Sequence, residues 1–188
     1  LFAYSWLFEI LVLAIYRSAG IYGLLLSQIL GFFAVTLLFL RCFRLFSLPF
    51  IQWYLLAFSL IFICKPVFTL RPWLFTIAFS VMMVNALVES QRESDFEKSI
   101  RRLYFLPPLF LLWANIHIQF VYGFVILGLW AFYPFIDLAF SDCANQRLVA
   151  RQRFRALFGL GLLCFAATLV NPYHIGLYKT VFQYVGQS

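Results

Sequence analysis

Charge is scarce in this chain: fourteen Lys and Arg and seven Asp and Glu make up 11% of its 188 residues. A water-facing exterior usually needs about a quarter of the residues charged, so an ordinary soluble domain is excluded. The signatures of soluble enzymes are missing too: there is no GxSxG, P-loop, HExxH or dinucleotide fingerprint. Histidine occurs twice and cysteine four times, at Cys42, Cys64, Cys143 and Cys164. With no CxxC spacing and no companion His cluster, the cysteines read as free thiols, and neither a disulfide framework nor a metal-ligand set is implied. No repeat of fixed period and no linker marks a second domain.

What is abundant is apolar surface. Hydrophobic residues make up 64% of the chain and aromatic residues 21%, and the mean hydropathy is +0.93. Lipid is the solvent that suits such a composition, and the expected fold is an all-α polytopic transmembrane bundle forming one domain over residues 1–188. The net charge of +7 does not point to nucleic acid, because the bases sit in short clusters between apolar runs. Leu1 in place of Met, and a helical pattern continuing to Ser188, lead us to expect a chain truncated at both ends.

A span needs roughly 20 apolar residues. Breaks at charge, Pro and polar clusters leave about six candidates: 21–40, 48–64, 72–88, 103–115, 121–140 and 156–170. The fourth carries Pro107 and Pro108, which suit a helix start or a kink. Residues 4–17 are too short to span comfortably and predict an interfacial helix, with Glu9 among Trp6, Leu7, Phe8 and Ile10. Aromatic residues such as Trp73, Trp113 and Trp130 fall near expected interfaces and read mostly as an anchoring belt.

Basic residues orient the spans. Arg41, Arg44, Arg92, Lys98, Arg101, Arg102, Arg147, Arg151, Arg153 and Arg155 fall on one side, against Arg17, Lys65, Arg71 and Lys179 on the other. By the positive-inside rule the first side is cytoplasmic. The opposite loops then hold Arg71, Asn115, both histidines and Asn171, so a functional site is expected on the extracytoplasmic face. Arg71, fixed beside Pro72, can clamp a lipid-linked phosphate through paired hydrogen bonds, or can snorkel to a head group. His117 can serve an anionic leaving group or shuttle a proton, or can be an interfacial imidazole satisfied by water. Asn171 and His174 form a turn signal better suited to capping the last helix. Glu9 is the one outer carboxylate, a candidate general base or a partner for a basic neighbour.

The ordered set Ser5-Trp6-Leu7-Phe8-Glu9, Arg71-Pro72-Trp73-Leu74-Phe75, Leu106-Pro107-Pro108 through Trp113-Ala114-Asn115-Ile116-His117, and Asn171-Pro172-Tyr173 resembles bacterial membrane glycosyltransferases of the GT-C type. The resemblance is to the branch related to mannosyl and arabinosyl transferases, and it covers nearly the whole chain. It implies an inner (plasma) membrane enzyme that moves a sugar from a polyprenyl-phosphate donor to an extracytoplasmic glycan, lipid or protein acceptor. In that scheme Glu9 and His117 are catalytic candidates, while Arg71, Asn115, Asn171 and His174 bind substrate. The family's acidic residue in the first outer loop would lie upstream of Leu1. A divalent metal belongs to some members, but no ligand set for one is visible here. The chain departs from the pattern at Ile118-Gln119, where small residues follow the His, and at His174, where Gly follows Asn-Pro-Tyr. Two other classes are a transporter or flippase, which would need ionisable residues near mid-membrane, and a non-catalytic assembly subunit of the cell envelope.

Overall fold

The computed structural model describes residues 5–47, 71–140 and 144–186, and among these every regular element is a helix. They are α1 (Trp6–Leu45), α2 (Trp73–Arg92), the short α3 (Phe96–Arg101), α4 (Leu106–Ile116), a 3-10 turn (Ile118–Phe120), α5 (Val121–Phe140), α6 (Ala144–Thr168) and α7 (Gly176–Gly186). Three stretches are long and apolar enough to cross a membrane: α1, α2 and residues 118–136, the 3-10 turn with most of α5. The chain is thus a helical protein with membrane-crossing capacity, as its composition requires.

The remaining expected spans have physical reasons to look different. The one at 48–64 lies outside the described residues. The one at 103–115 is a helix of 11 residues, about 16 Å long at 1.5 Å per residue, well short of a hydrocarbon core about 30 Å thick. Pro107 and Pro108 stand in its first turn, where the missing N–H costs nothing. Its apolarity serves protein contacts: Leu106, Phe110 and Trp113 are fully buried between helices. The apolar run at 156–170 is the second half of α6, whose first half carries Arg147, Arg151, Arg153 and Arg155.

The expected interfacial helix and first span are joined in α1, with a break at Gly20. There φ is +61° and ψ −151°, a region open essentially only to glycine. Beyond the break, α1 and α2 run side by side in the same direction. Asn85 Nδ2 donates to the Leu38 carbonyl (3.1 Å), Arg41 pairs with Glu89 (2.6 Å), and Arg92 donates to the Leu45 carbonyl.

The core is aromatic and aliphatic. Phe110 of α4 meets Trp113 (5.9 Å between ring centroids) and Phe124 of α5 (4.6 Å), and Phe79 of α2 lies edge-on to Trp113. Gly123 lets α5 close on this cluster, since a Cβ there would stand 2.6 Å from Phe110 Cζ. Outside the core, Tyr22, Leu129, Phe140 and Phe182 are each at least 70% exposed. Large side chains left bare over so much of the surface fit hydrocarbon surroundings.

Charges and polar groups separate to the two ends. One end holds Arg41, Glu89, Glu93, Arg102 and the Asp95–Lys98 pair. Asp95 caps α3 by accepting from the Lys98 and Glu97 backbone N–H groups, which hold its carboxyl below the usual range. At the other end the α2 start, the α4 end and the α6 end meet. Replacing Gly20→Ala should cost about 1–3 kcal/mol through backbone strain, read as a lower thermal midpoint in detergent. An unchanged midpoint would mean that α1 does not need the break.

Candidate functional site

The end of the bundle opposite the ion pairs is organised around Asn115, near the end of α4. Its Oδ1 accepts from Trp6 Nε1 (3.0 Å), and its Nδ2 donates to the Leu111 carbonyl (2.8 Å) and the Val170 carbonyl (2.9 Å). One buried amide therefore ties α1 to α4 and to the chain just after α6. Both of its donor hydrogens are spent, so the side chain contributes position more than chemistry.

His117 follows where α4 stops and the backbone turns extended (φ −153°, ψ 137°). The side chain is buried, with its ring 5.6 Å from that of Trp73. Thr76 Oγ1 lies 2.9 Å from His117 Nδ1 and accepts from Trp113 Nε1 at 3.2 Å. An indole N–H can only donate, so the Thr76 hydroxyl is free to pass its proton toward Nδ1. That arrangement suits the neutral imidazole with its proton on Nε2. Nε2 makes no hydrogen bond among the described residues and remains available to a ligand. Burial pushes the His117 pKa down to about 4, because desolvation disfavours the cation.

Asn171 and His174 form a tight turn between α6 and α7. Asn171 Oδ1 accepts from the Tyr173 backbone N–H (2.7 Å), and Nδ2 donates to the Thr168 carbonyl (2.6 Å). His174 is exposed, with φ +47° and Nδ1 3.1 Å from the Leu169 carbonyl. This left-handed conformation is one that glycine adopts without cost and a histidine does not. Thr168 Oγ1 and Tyr178 OH, 2.5 Å apart, close the turn against α7.

Arg71 and Glu9 are exposed on the same end. Glu9 lies in the first turn of α1, between Trp6, which bonds Asn115, and a segment whose Phe8 ring packs on Phe75. Neither Glu9 nor Arg71 has an ion-pair partner among the described residues. Arg71 lines a groove of about 540 Å³ between the two arms of α1 and the first half of α2. Its other walls are almost wholly apolar, with Phe8, Val12, Phe32, Phe75 and Phe79 among them. A cation at the edge of an apolar slot suits an amphiphile with an anionic head.

No known family, characterised protein or solved structure matches this chain. The site therefore has to be read from its own geometry. Sequence reading missed Thr76, which hides in an apolar run but orients His117, and Trp6, whose N–H positions Asn115. Gln119, which the sequence reading named only as a departure from the family pattern, is buried with Oε1 unpaired. No group of three or more His, Cys, Asp or Glu that could hold a metal gathers among the described residues.

Two predictions follow from these geometries. The unfolded His117 titrates near 6.5 and the folded one near 4, so its contribution to stability is complete above about pH 6.5 and is lost as pH falls toward 4. Melting curves across that range should show the decline, and His117→Asn should flatten it. His174→Gly should raise stability by up to about 1 kcal/mol by relieving the left-handed backbone, whereas His174→Val should lower it. Equal melting points for the two variants would remove the strain argument.

Proposed function

We propose that this chain is the membrane portion of a glycosyltransferase that moves a sugar from a polyprenyl-phosphate donor to an extracytoplasmic acceptor. The observation that carries the proposal is Arg71 on the wall of the apolar groove between α1 and α2. A polyprenyl chain needs such a slot, and its phosphate needs a cation at the edge. The resemblance of the Arg71-Pro72-Trp73 and Asn115-Ile116-His117 segments to GT-C enzymes points the same way. In this reading the protein crosses the inner membrane several times, the first arm of α1 lies at the interface, and the Arg71 end faces outward.

The chemistry is displacement at the anomeric carbon. The acceptor hydroxyl oxygen attacks C1, the bond from C1 to the phosphate oxygen breaks, and a carboxylate takes the hydroxyl proton. Glu9 is the carboxylate this end offers. Arg71 stabilises the departing lipid phosphate, and the neutral His117 donates Nε2–H to it without needing to change protonation state at pH 7. Asn115 and Asn171 hold the loops that carry these groups.

A second reading keeps one specific support. Asn115 and Asn171 are fully engaged in tying helices together, as an assembly subunit of the envelope would require. Sugar transfer decides between them, assayed with the full-length protein in membranes and a panel of radiolabelled polyprenyl-phosphate sugars. Arg71→Ala should reduce transfer by about 100-fold or more, and His117→Ala should reduce it clearly, in line with removal of an oxyanion donor. Transfer undiminished in both variants would sink the proposed roles. Movement of the labelled lipid across vesicles without transfer would favour a flippase.

A further inference from the structure

At the opposite end of the bundle, a cavity of about 650 Å³ opens between α2, α3, α5 and α6. One wall is apolar, with Trp130, Tyr133 and Leu157, and the other is polar, with Ser90, Asn145 and Arg153. Arg153 is the only charged side chain among the described residues that line it. Some other cations at this end are paired: Arg41 with Glu89, Lys98 with Asp95, and Arg102 with Glu89 and Glu93. Arg153 has no ion pair among the described residues, and its Nε is withdrawn from solvent with no acceptor. A charged donor in that position is costly until an acceptor reaches it. The Ser90 and Ser99 hydroxyls spend their protons on each other and on the Ser90 carbonyl, and neither accepts from Arg153 Nε.

We propose that this cavity is a second phosphate site, which takes a phosphate ester with its oxygens on the Arg153 guanidinium and its hydrocarbon part along the apolar wall. Three observations converge on that ligand class. The guanidinium fork matches two phosphate oxygens. No acidic side chain among the described lining residues opposes an anion. The lining residues Leu129 and Val149 are 70% and 47% exposed, so the cavity opens beside surface that suits acyl chains. The site is separate from the Arg71 groove and does not depend on the sugar-transfer reading.

Binding of short-chain phosphatidic acid, of inorganic phosphate and of diacylglycerol to the full-length protein in detergent tests the assignment. Arg153→Ala and Arg153→Gln should each weaken phosphatidic acid binding roughly tenfold or more, while Arg151→Ala, at an exposed arginine outside the cavity, should leave most of it. Phosphatidic acid binding without inorganic phosphate binding would make the ligand a lipid. Inorganic phosphate binding with the same dependence on Arg153 would make it a soluble ester. Equal weakening by Arg151→Ala, equal binding of diacylglycerol, or no binding of either phosphate would overturn the proposal.

Discussion

Placing a guanidinium or carboxylate in hydrocarbon costs several kcal/mol, and that penalty arranges the rest of this molecule. Ion pairs collect where α1 and α2 end, beside α3. Arg71 and Glu9 stand at the other end, and the middles of α2, α5 and the second arm of α1 carry no charge. Because the backbone in such surroundings must satisfy itself, nearly everything between the ends is helix. Among the described residues, departures from helix are confined to the ends, apart from the break that Gly20 permits.

Short α4, buried along one side, shows how the same constraint acts inside the protein. A helix of 11 residues cannot cross a bilayer alone, yet it sits at the centre of the packing, with Leu106, Phe110 and Trp113 sealed from any solvent. Its end therefore falls within protein, where the freed polar groups must find partners. Asn115 and His117 occupy that end and are met by Trp6, Thr76 and the Val170 carbonyl. A polar cluster at this depth is thus a consequence of where the helix stops.

Much of this was legible in the sequence, and the gaps have identifiable causes. Charge placement revealed the two ends, because the penalty for burying charge acts on residue type alone. The grouping of Arg71, Asn115, His117, Asn171 and His174 followed from that alternation. Span number was less legible: apolar residues facing protein, as in α4, look the same as those facing lipid. In α6 the four arginines read as a loop, although arginine is a good helix former. Thr76 was invisible because a single hydroxyl among Trp73, Leu74, Phe75 and Ile77 carries no signal until Trp113 and His117 are placed around it. Gly20 separated two expected segments, but only φ and ψ show that the helix bends there and continues.

The outer end also separates residues by what they have left to offer. Asn115 and Asn171 have spent their donors on carbonyls, so substituting either would disturb position before chemistry. The groups with unused capacity are the Arg71 guanidinium, the Glu9 carboxylate, His117 Nε2 and Gln119 Oε1. In the proposed reading they would supply a cation, a base, a neutral donor and a neutral acceptor for an anionic leaving group and a hydroxyl proton. A purely structural cap would have no reason to leave a buried imidazole oriented by a Trp–Thr relay with its other nitrogen free. That asymmetry, one side of His117 fixed and the other open, makes a ligand-facing role the more economical explanation of this end.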